Sequence, residues 1–113
     1  MEKHYKLARV RDLADGDQDF IVALASAFLE EVPEDAARLK KAVAELDFYT
    51  TYQAAHKMKP TIEMFELGVL EELIVVQDWG KFEKKDVDVS NKLEDVLIAI
   101  KNATSEIKKD FNL

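Results

Sequence analysis

The chain has 113 residues, 48% of them hydrophobic, no cysteine and a formal net charge of −7. This length provides for one core, so residues 1–113 are expected to form a single domain. Without cysteine the chain can form neither a disulfide nor a thiolate metal site, and its negative charge argues against binding to nucleic acid or to an anionic membrane.

The composition predicts an all-α protein, because helix-forming residues dominate it and only 3 glycines and 2 prolines interrupt them. A short first helix is predicted from Tyr5 to Leu13. The cluster Asp15-Gly16-Asp17 ends this helix, and the Asp17 side chain can cap the next one.

The second predicted helix is long. Apolar residues recur at spacings of three and four from Ile21 to Leu46, and this stripe stays in phase across Pro33. The pattern therefore favours one helix kinked at Pro33 over two helices that pack separately.

Asp47 can cap a third helix that begins at Phe48. Its apolar stripe continues as far as Phe65, although Pro60 lies inside it. Gly68 is expected to loosen the end of this helix.

A fourth helix is predicted to begin near Leu70 and to end near Asp78-Trp79-Gly80, where glycine offers a stop. The charged stretch over residues 81–90 lacks a helical stripe and is predicted to be a loop. Asn91 and Glu94 have the spacing of a capping box, which predicts the start of the last helix.

Four principal helices with mostly short connections, behind a short extra N-terminal helix, predict an antiparallel up-down four-helix bundle. The N-terminus lacks the apolar run of a signal sequence, and the longest apolar runs, such as LIVV at residues 73–76, are too short to cross a bilayer. We therefore expect a cytoplasmic protein with no membrane partner, acting as a monomer. Met1 and the small size favour a free-standing protein.

The sequence lacks the common motifs of metal and nucleotide chemistry. A di-metal site in a bundle needs a glutamate three residues before a histidine, but Gln53 stands before His56 and Met1 before His4. Three scattered glycines cannot build a phosphate-binding loop, and no serine lies in a nucleophile motif. We expect no metal and no cofactor, and we expect His4 to be an unstructured terminal residue.

His56 is the main candidate for chemistry. Ala55 lies near the centre of the apolar stripe, and His56 lies about 100° around the helix from it. The ring of His56 is therefore expected at the solvent-facing edge of the buried face. Lys57 and Lys59 lie close by, and they can balance the charge of a phosphoryl group attached to a nucleophilic imidazole nitrogen. The plainer interpretation is a boundary histidine beside two solvated lysines.

The segment AHKMKPTIEMF resembles the active helix of histidine-containing phosphotransfer (HPt) domains. That family's pattern is Ala-His, one variable residue, an apolar residue, Lys, Gly and a small residue. The residues that match it are Ala55, His56, Met58, Lys59 and Thr61. The upstream segment FLEEVPEDAARLKKAVAELD resembles the family's preceding helix, and the resemblance extends from about Asp17 to the last helix.

The resemblance implies that His56 accepts a phosphoryl group from a receiver-domain aspartate, in a response regulator or hybrid histidine kinase, and passes it to another receiver. The receiver supplies the magnesium and most of the catalytic apparatus, so no turnover of its own is expected for this chain. Lys59 and Lys57 are expected to stabilise the phosphoryl group. The residues expected at the receiver-docking surface are Tyr52, Gln53, Pro60 and Glu63.

Three positions depart from the family pattern. Pro60 stands where the family has glycine, and Glu63 and Glu66 occupy later small or glycine positions. An altered docking surface or an unusual partner is therefore expected. Two alternatives stay open: a helical adaptor that acts by protein binding with His56 chemically idle, and a metal- or cofactor-binding bundle, which the missing ligand spacing disfavours.

Overall fold

The computed structural model describes residues 3–113, and within that range the chain forms five helices and no strand. They are α1 (Ala8–Ala14), α2 (Gln18–Ala44), α3 (Phe48–Met64), α4 (Leu70–Lys81) and α5 (Ser90–Asp110). The all-α prediction is confirmed. The first helix begins at Ala8 and not at Tyr5, because Tyr5 and Leu7 are buried within a non-helical segment that precedes it.

The second helix runs through Pro33 without a break, as the in-phase stripe predicts. Asp17 caps it, since its Oδ1 accepts a hydrogen bond from the backbone N–H of Phe20 at 3.3 Å. Proline removes one backbone hydrogen bond from the helix interior. Burial of the apolar face, which includes Phe28 and Leu39, offsets that loss and keeps the helix continuous.

The third helix begins at Phe48, as predicted from Asp47. Leu46 takes a left-handed backbone conformation, with φ of 55°, and Asp47 Oδ1 then accepts the N–H of Thr50 at 3.1 Å. Hydrogen bonds from Thr50, first from its side chain and then from its backbone, hold the pKa of the Asp47 carboxyl below its ordinary value. This cap fixes the start of the helix that carries His56.

The fourth helix ends within one residue of the predicted stop near Asp78-Trp79-Gly80, but the role of Gly80 differs from the one expected. It lies buried inside α4, where an added Cβ would approach the Phe48 carbonyl oxygen to 2.6 Å and the Tyr52 backbone nitrogen to 2.8 Å. Glycine is needed here because the α3 backbone passes close by, and not because the helix stops. The helix ends at Lys81, and Glu83 takes the left-handed conformation with φ of 49°.

Asn91 is not the cap of the last helix. The loop prediction holds for residues 82–89, but Lys81 belongs to α4 and α5 begins at Ser90 itself. Asp88 Oδ1 accepts the backbone N–H of Ser90 at 2.9 Å and its hydroxyl at 2.6 Å. Burial of Val89 fixes the chain against the core, and Asp88 satisfies the first free N–H. A cap at Asn91 would start the helix at Lys92, so α5 begins two residues earlier than that spacing predicts.

The four longer helices pack in a closed ring: α2 on α3, α3 on α4, α4 on α5, and α5 on α2, with α1 against α2. Large side chains that are almost fully buried fill the core; they include Tyr5, Phe28, Leu39, Met58, Phe65, Leu73 and Ile107. Across residues 3–113, none of the helices combines the length and the apolar character needed to span a bilayer.

Candidate functional site

His56 lies in the middle of α3 with an exposed side chain, next to the fully buried Ala55. Its ring stacks on Tyr52 one turn earlier, with centroids 5.6 Å apart and planes inclined by 26°. The contact with Tyr52 covers part of the imidazole and leaves the rest of the ring open to a partner.

A buried glutamine on α4 contacts His56 from the neighbouring helix. Gln77 is 7% exposed, and its Oε1 lies 3.3 Å from His56 Nδ1. Its Nε2 donates to Asp78 Oδ1, also at 3.3 Å. An ionised carboxylate only accepts hydrogen bonds, so Asp78 favours the amide orientation that points the Gln77 oxygen at the ring. Nδ1 of a neutral ring then carries the proton, and Nε2 keeps the lone pair.

The two lysines beside His56 have different surroundings. Lys57 Nζ lies 3.1 Å from Oδ1 of Asp35 on α2, whose side chain is only 11% exposed. Lys59 is half-buried, and its side chain forms no hydrogen bond or ion pair with another residue of the described range. Lys57 is therefore engaged with a nearly buried carboxylate, while the charge of Lys59 is available to a ligand.

Pro60 and Glu63 follow His56 along α3, and both are exposed. Glu63 Oε1 lies 3.2 Å from Arg9 Nη1 on α1, and Glu66 Oε1 lies 3.9 Å from Arg9 Nε. Arg9 therefore offsets part of the negative charge of the two glutamates that stand at small-residue positions of the HPt pattern. Because these side chains are largely exposed, the ion pairs contribute little to stability.

The other two expected docking residues, Tyr52 and Gln53, lie on the N-terminal side of His56. Gln53 is exposed and its Nε2 donates to the Tyr49 hydroxyl at 2.8 Å. Tyr49 itself is 70% exposed. The expected docking residues thus follow α3 in both directions from His56.

An open depression lies beside the imidazole. Its lining residues are Arg38, Tyr52, Gln53, His56 and Lys57. Arg38 is the member contributed by α2, and its exposed side chain has no hydrogen bond or ion pair with any other residue between 3 and 113. The structure thus brings a further cation to the site.

The residues that the structure describes contain no group of three side chains suited to hold a metal ion. His4 is not an unstructured terminal residue, because its Nδ1 lies 2.7 Å from Glu106 Oε2 on α5. Burial of the adjacent Tyr5 fixes this segment against the bundle.

Three residues at the site are not identified by the sequence pattern: Gln77, Asp35 and Arg38. For Gln77 a signal exists, since it is a polar residue on the apolar stripe of α4. Asp35 gives a similar signal, because it is spaced three and four residues from the buried Val32 and Leu39. Arg38 gives none, since its proximity to His56 depends on how α2 packs against α3.

Comparison of the chain with models of known protein families, with curated proteins and with solved structures finds no match. The function proposed below therefore depends on the chemistry of the residues around His56 and on the local resemblance of α3 to the HPt active helix.

Proposed function

We propose that the chain is a phosphorelay intermediate, which accepts a phosphoryl group on His56 from a receiver-domain aspartate and passes it to another receiver. The observation that carries this proposal is the exposed imidazole whose Nδ1 lies 3.3 Å from the oxygen of a buried glutamine, Gln77. This contact directs the proton to Nδ1 and leaves Nε2 as the nucleophile.

In the transfer step, the Nε2 lone pair forms a bond to phosphorus while the bond between phosphorus and the aspartate oxygen breaks. The electron pair of the broken bond stays on the aspartate, which leaves as a carboxylate. The ring keeps its Nδ1 proton and gains positive charge, which the Gln77 oxygen stabilises. Onward transfer reverses these events with the carboxylate of a second receiver. The chain ends unchanged and performs no turnover of its own.

Lys59 lies three residues after His56 on α3 and has no ionic partner within the described residues. Its charge can therefore offset the negative charge of the phosphoryl group. Lys57 acts mainly through Asp35, to which it is bonded at 3.1 Å, and contributes only a more distant positive charge. The receiver docks over the α3 surface formed by Tyr52, Gln53, Pro60 and Glu63.

We also propose that α2 to α5 alternate in direction as an antiparallel up-down bundle, and that the protein is a cytoplasmic monomer. The closed ring of helix contacts supports the alternating order. So do the short connections at residues 45–47 and 65–69, because short connections join antiparallel neighbours. Receiver partners, as the resemblance implies them, support the cytoplasmic location.

The test is incubation with receiver domains of the source cell whose aspartate carries a radioactive phosphoryl group. Wild-type protein is expected to gain an acid-labile, base-stable label. His56→Gln is expected to gain none and to keep its fold, because an exposed side chain contributes little packing and glutamine favours helix. His4→Gln removes the only other histidine and is the matched control, with labelling at the wild-type rate.

Label on His56→Gln at the wild-type rate contradicts the assignment of His56. A receiver that binds the chain without any transfer contradicts the phosphorelay proposal and assigns the chain to the class of helical adaptors.

A further inference from the structure

Arg38 shares the open depression beside His56 with Tyr52, Gln53 and Lys57. We propose that Arg38 is a second phosphoryl-binding residue, whose guanidinium donates hydrogen bonds to the phosphoryl oxygens during transfer to and from His56. This inference rests on the proposed function and adds to it a residue on a different helix.

The packing of α2 on α3 gives Arg38 its position. Asp35, one turn before Arg38, reaches across to Lys57 on α3 at 3.1 Å. Residues three apart are neighbours on one side of a helix, so Arg38 follows Asp35 along the side of α2 that faces α3. The adjacent Leu39 is fully buried and fixes the backbone, while the Arg38 side chain is exposed.

Two cationic side chains, Arg38 and Lys57, line the depression, and only Lys57 is paired with a carboxylate among the described residues. Lys57 is held by the nearly buried Asp35, and moving it to a ligand would leave that carboxylate without its partner. The Arg38 side chain has neither a hydrogen bond nor an ion pair to any residue in the described range. It can therefore bind an anion without breaking an existing contact.

The chemistry of the guanidinium suits this role. A phosphoryl group in transfer carries its charge on three oxygens that are bonded only to phosphorus, and Lys59 alone offers a single point charge to them. Arginine presents planar N–H donors that can bond two oxygens at once. With a net charge of −7, the whole chain disfavours an approaching phosphate, so a local cation has a large effect on transfer.

Arg38 and Gln77 would then have different tasks at His56. Gln77, on α4, contacts Nδ1 of the ring. Arg38, on α2, lines the open depression beside the ring. One side chain holds the imidazole, while the other binds the group that the imidazole receives.

The test compares two phosphodonors, a phosphorylated receiver domain and the small molecule phosphoramidate, which transfers its phosphoryl group to histidine without a protein partner. Arg38→Ala is expected to slow labelling of His56 roughly tenfold with both donors, because a charge-assisted contact to the phosphoryl group itself is lost. Arg38→Lys is expected to recover part of the rate, since it restores the charge but not the bidentate geometry.

Lys40→Ala is the matched control. It removes one positive charge from an exposed position on the same helix, but Lys40 lies about 200° around α2 from Arg38 and on the other side of Leu39. Its labelling rates are expected to stay within about twofold of wild type with both donors. Circular dichroism melts of all three variants are expected to match the wild-type melt.

Each other outcome contradicts a specific claim. A rate loss with the receiver but not with phosphoramidate shows that Arg38 contacts the receiver and overturns its role in phosphoryl binding. Equal rates for Arg38→Ala and wild type overturn that role as well. Failure of the wild-type protein to gain phosphohistidine from either donor overturns the proposed function together with this inference.

Discussion

Lys57 and Lys59 lie two residues apart, but they have different neighbours. Lys57→Ala leaves the nearly buried Asp35 carboxylate without its cation, and we expect this variant to lose about 1 kcal/mol in the free energy of unfolding. Lys59→Ala removes a side chain without an ionic partner in the described residues, and we expect its stability to change by less than about 0.5 kcal/mol. Urea unfolding of both variants measures the difference.

The same two variants separate the lysines in function. Lys59→Ala is expected to slow single-turnover transfer roughly tenfold and to weaken receiver binding less, because the proposed role of Lys59 is to offset the phosphoryl charge. Lys57→Ala is expected to slow transfer less than Lys59→Ala does. Equal losses of transfer without any loss of stability in Lys57→Ala would show that both lysines serve the phosphoryl group, as the sequence resemblance implies.

Gln77 contacts the ring of His56, the proposed phosphoacceptor. Gln77→Leu keeps the side-chain volume and removes the oxygen that lies 3.3 Å from His56 Nδ1. We expect transfer to slow roughly tenfold, because either ring nitrogen can then carry the proton, with little change in receiver affinity. Rapid-quench kinetics and calorimetry with one receiver measure the two effects.

Gln18→Leu is the control for the same chemical change. Gln18 is exposed at the start of α2, about 25 Å along that helix from Asp35. Transfer by this variant is expected at the wild-type rate. If Gln77→Leu also transfers at that rate, its contact with His56 has no role in positioning the ring.

At the scale of the helix, Pro60 interrupts the backbone hydrogen bonding of α3 one turn after His56. Proline has no N–H, so the bond that residue 60 would donate to the carbonyl of His56 is missing, and its ring crowds that carbonyl. We expect Pro60→Ala to stabilise the protein by roughly 1–3 kcal/mol, the scale of the interior penalty of proline. We also expect it to slow transfer from the receiver, because the backbone at His56 straightens.

Pro33→Ala is the matched control, since Pro33 also lies inside a continuous helix. It is expected to stabilise the protein on the same physical grounds and to leave transfer unchanged. Thermal melts and single-turnover transfer on both variants provide the comparison. A more stable Pro60→Ala protein with the wild-type transfer rate would show that the proline is a tolerated kink without a role in docking.

The sequence predicted helix starts well where the cap is a local interaction. Asp17 and Asp47 accept N–H groups three residues ahead, so the residues needed for those two caps are adjacent in the chain. The start of α5 was predicted two residues late, because Val89 is buried against the other helices and Asp88 supplies the hydrogen bond. Both Asp88 and Asn91 could supply the hydrogen bond at the start of this helix, and the packing of Val89 selected Asp88.

At the scale of the whole molecule, the close approach of α3 and α4 aligns Gln77 with His56. This approach depends on Gly80, where a Cβ would lie 2.6 Å from the Phe48 carbonyl oxygen. We expect Gly80→Ala to lower the free energy of unfolding by roughly 1–3 kcal/mol, because the helices must separate. Transfer is expected to slow as well, since Gln77 is less than one turn away on α4.

Gly68→Ala provides the comparison, because a Cβ there meets no atom within 4 Å and only the positive φ of 79° opposes it. We expect it to cost about 1 kcal/mol and to leave transfer unchanged. Denaturant unfolding and transfer kinetics test both variants. Wild-type stability of Gly80→Ala would show that the two helices have room to adjust.

Sequence patterns were sufficient to predict the helical class, the continuity of α2 across Pro33, the caps at Asp17 and Asp47, and the position of His56 at the edge of a buried face. These features depend on residues within four positions of one another, which an amphipathic pattern records directly. The role of Gly80, which allows α3 and α4 to pack closely, is evident only from the packed helices.

Helix packing was also needed to pair Lys57 with Asp35, to bring Gln77 to the ring of His56 and to place Arg38 at the same depression. Each of these relations joins residues about twenty positions apart on different helices. Their distances depend on the rotation and axial register of packed helices, which follow from how all the buried side chains fit together and not from any single segment.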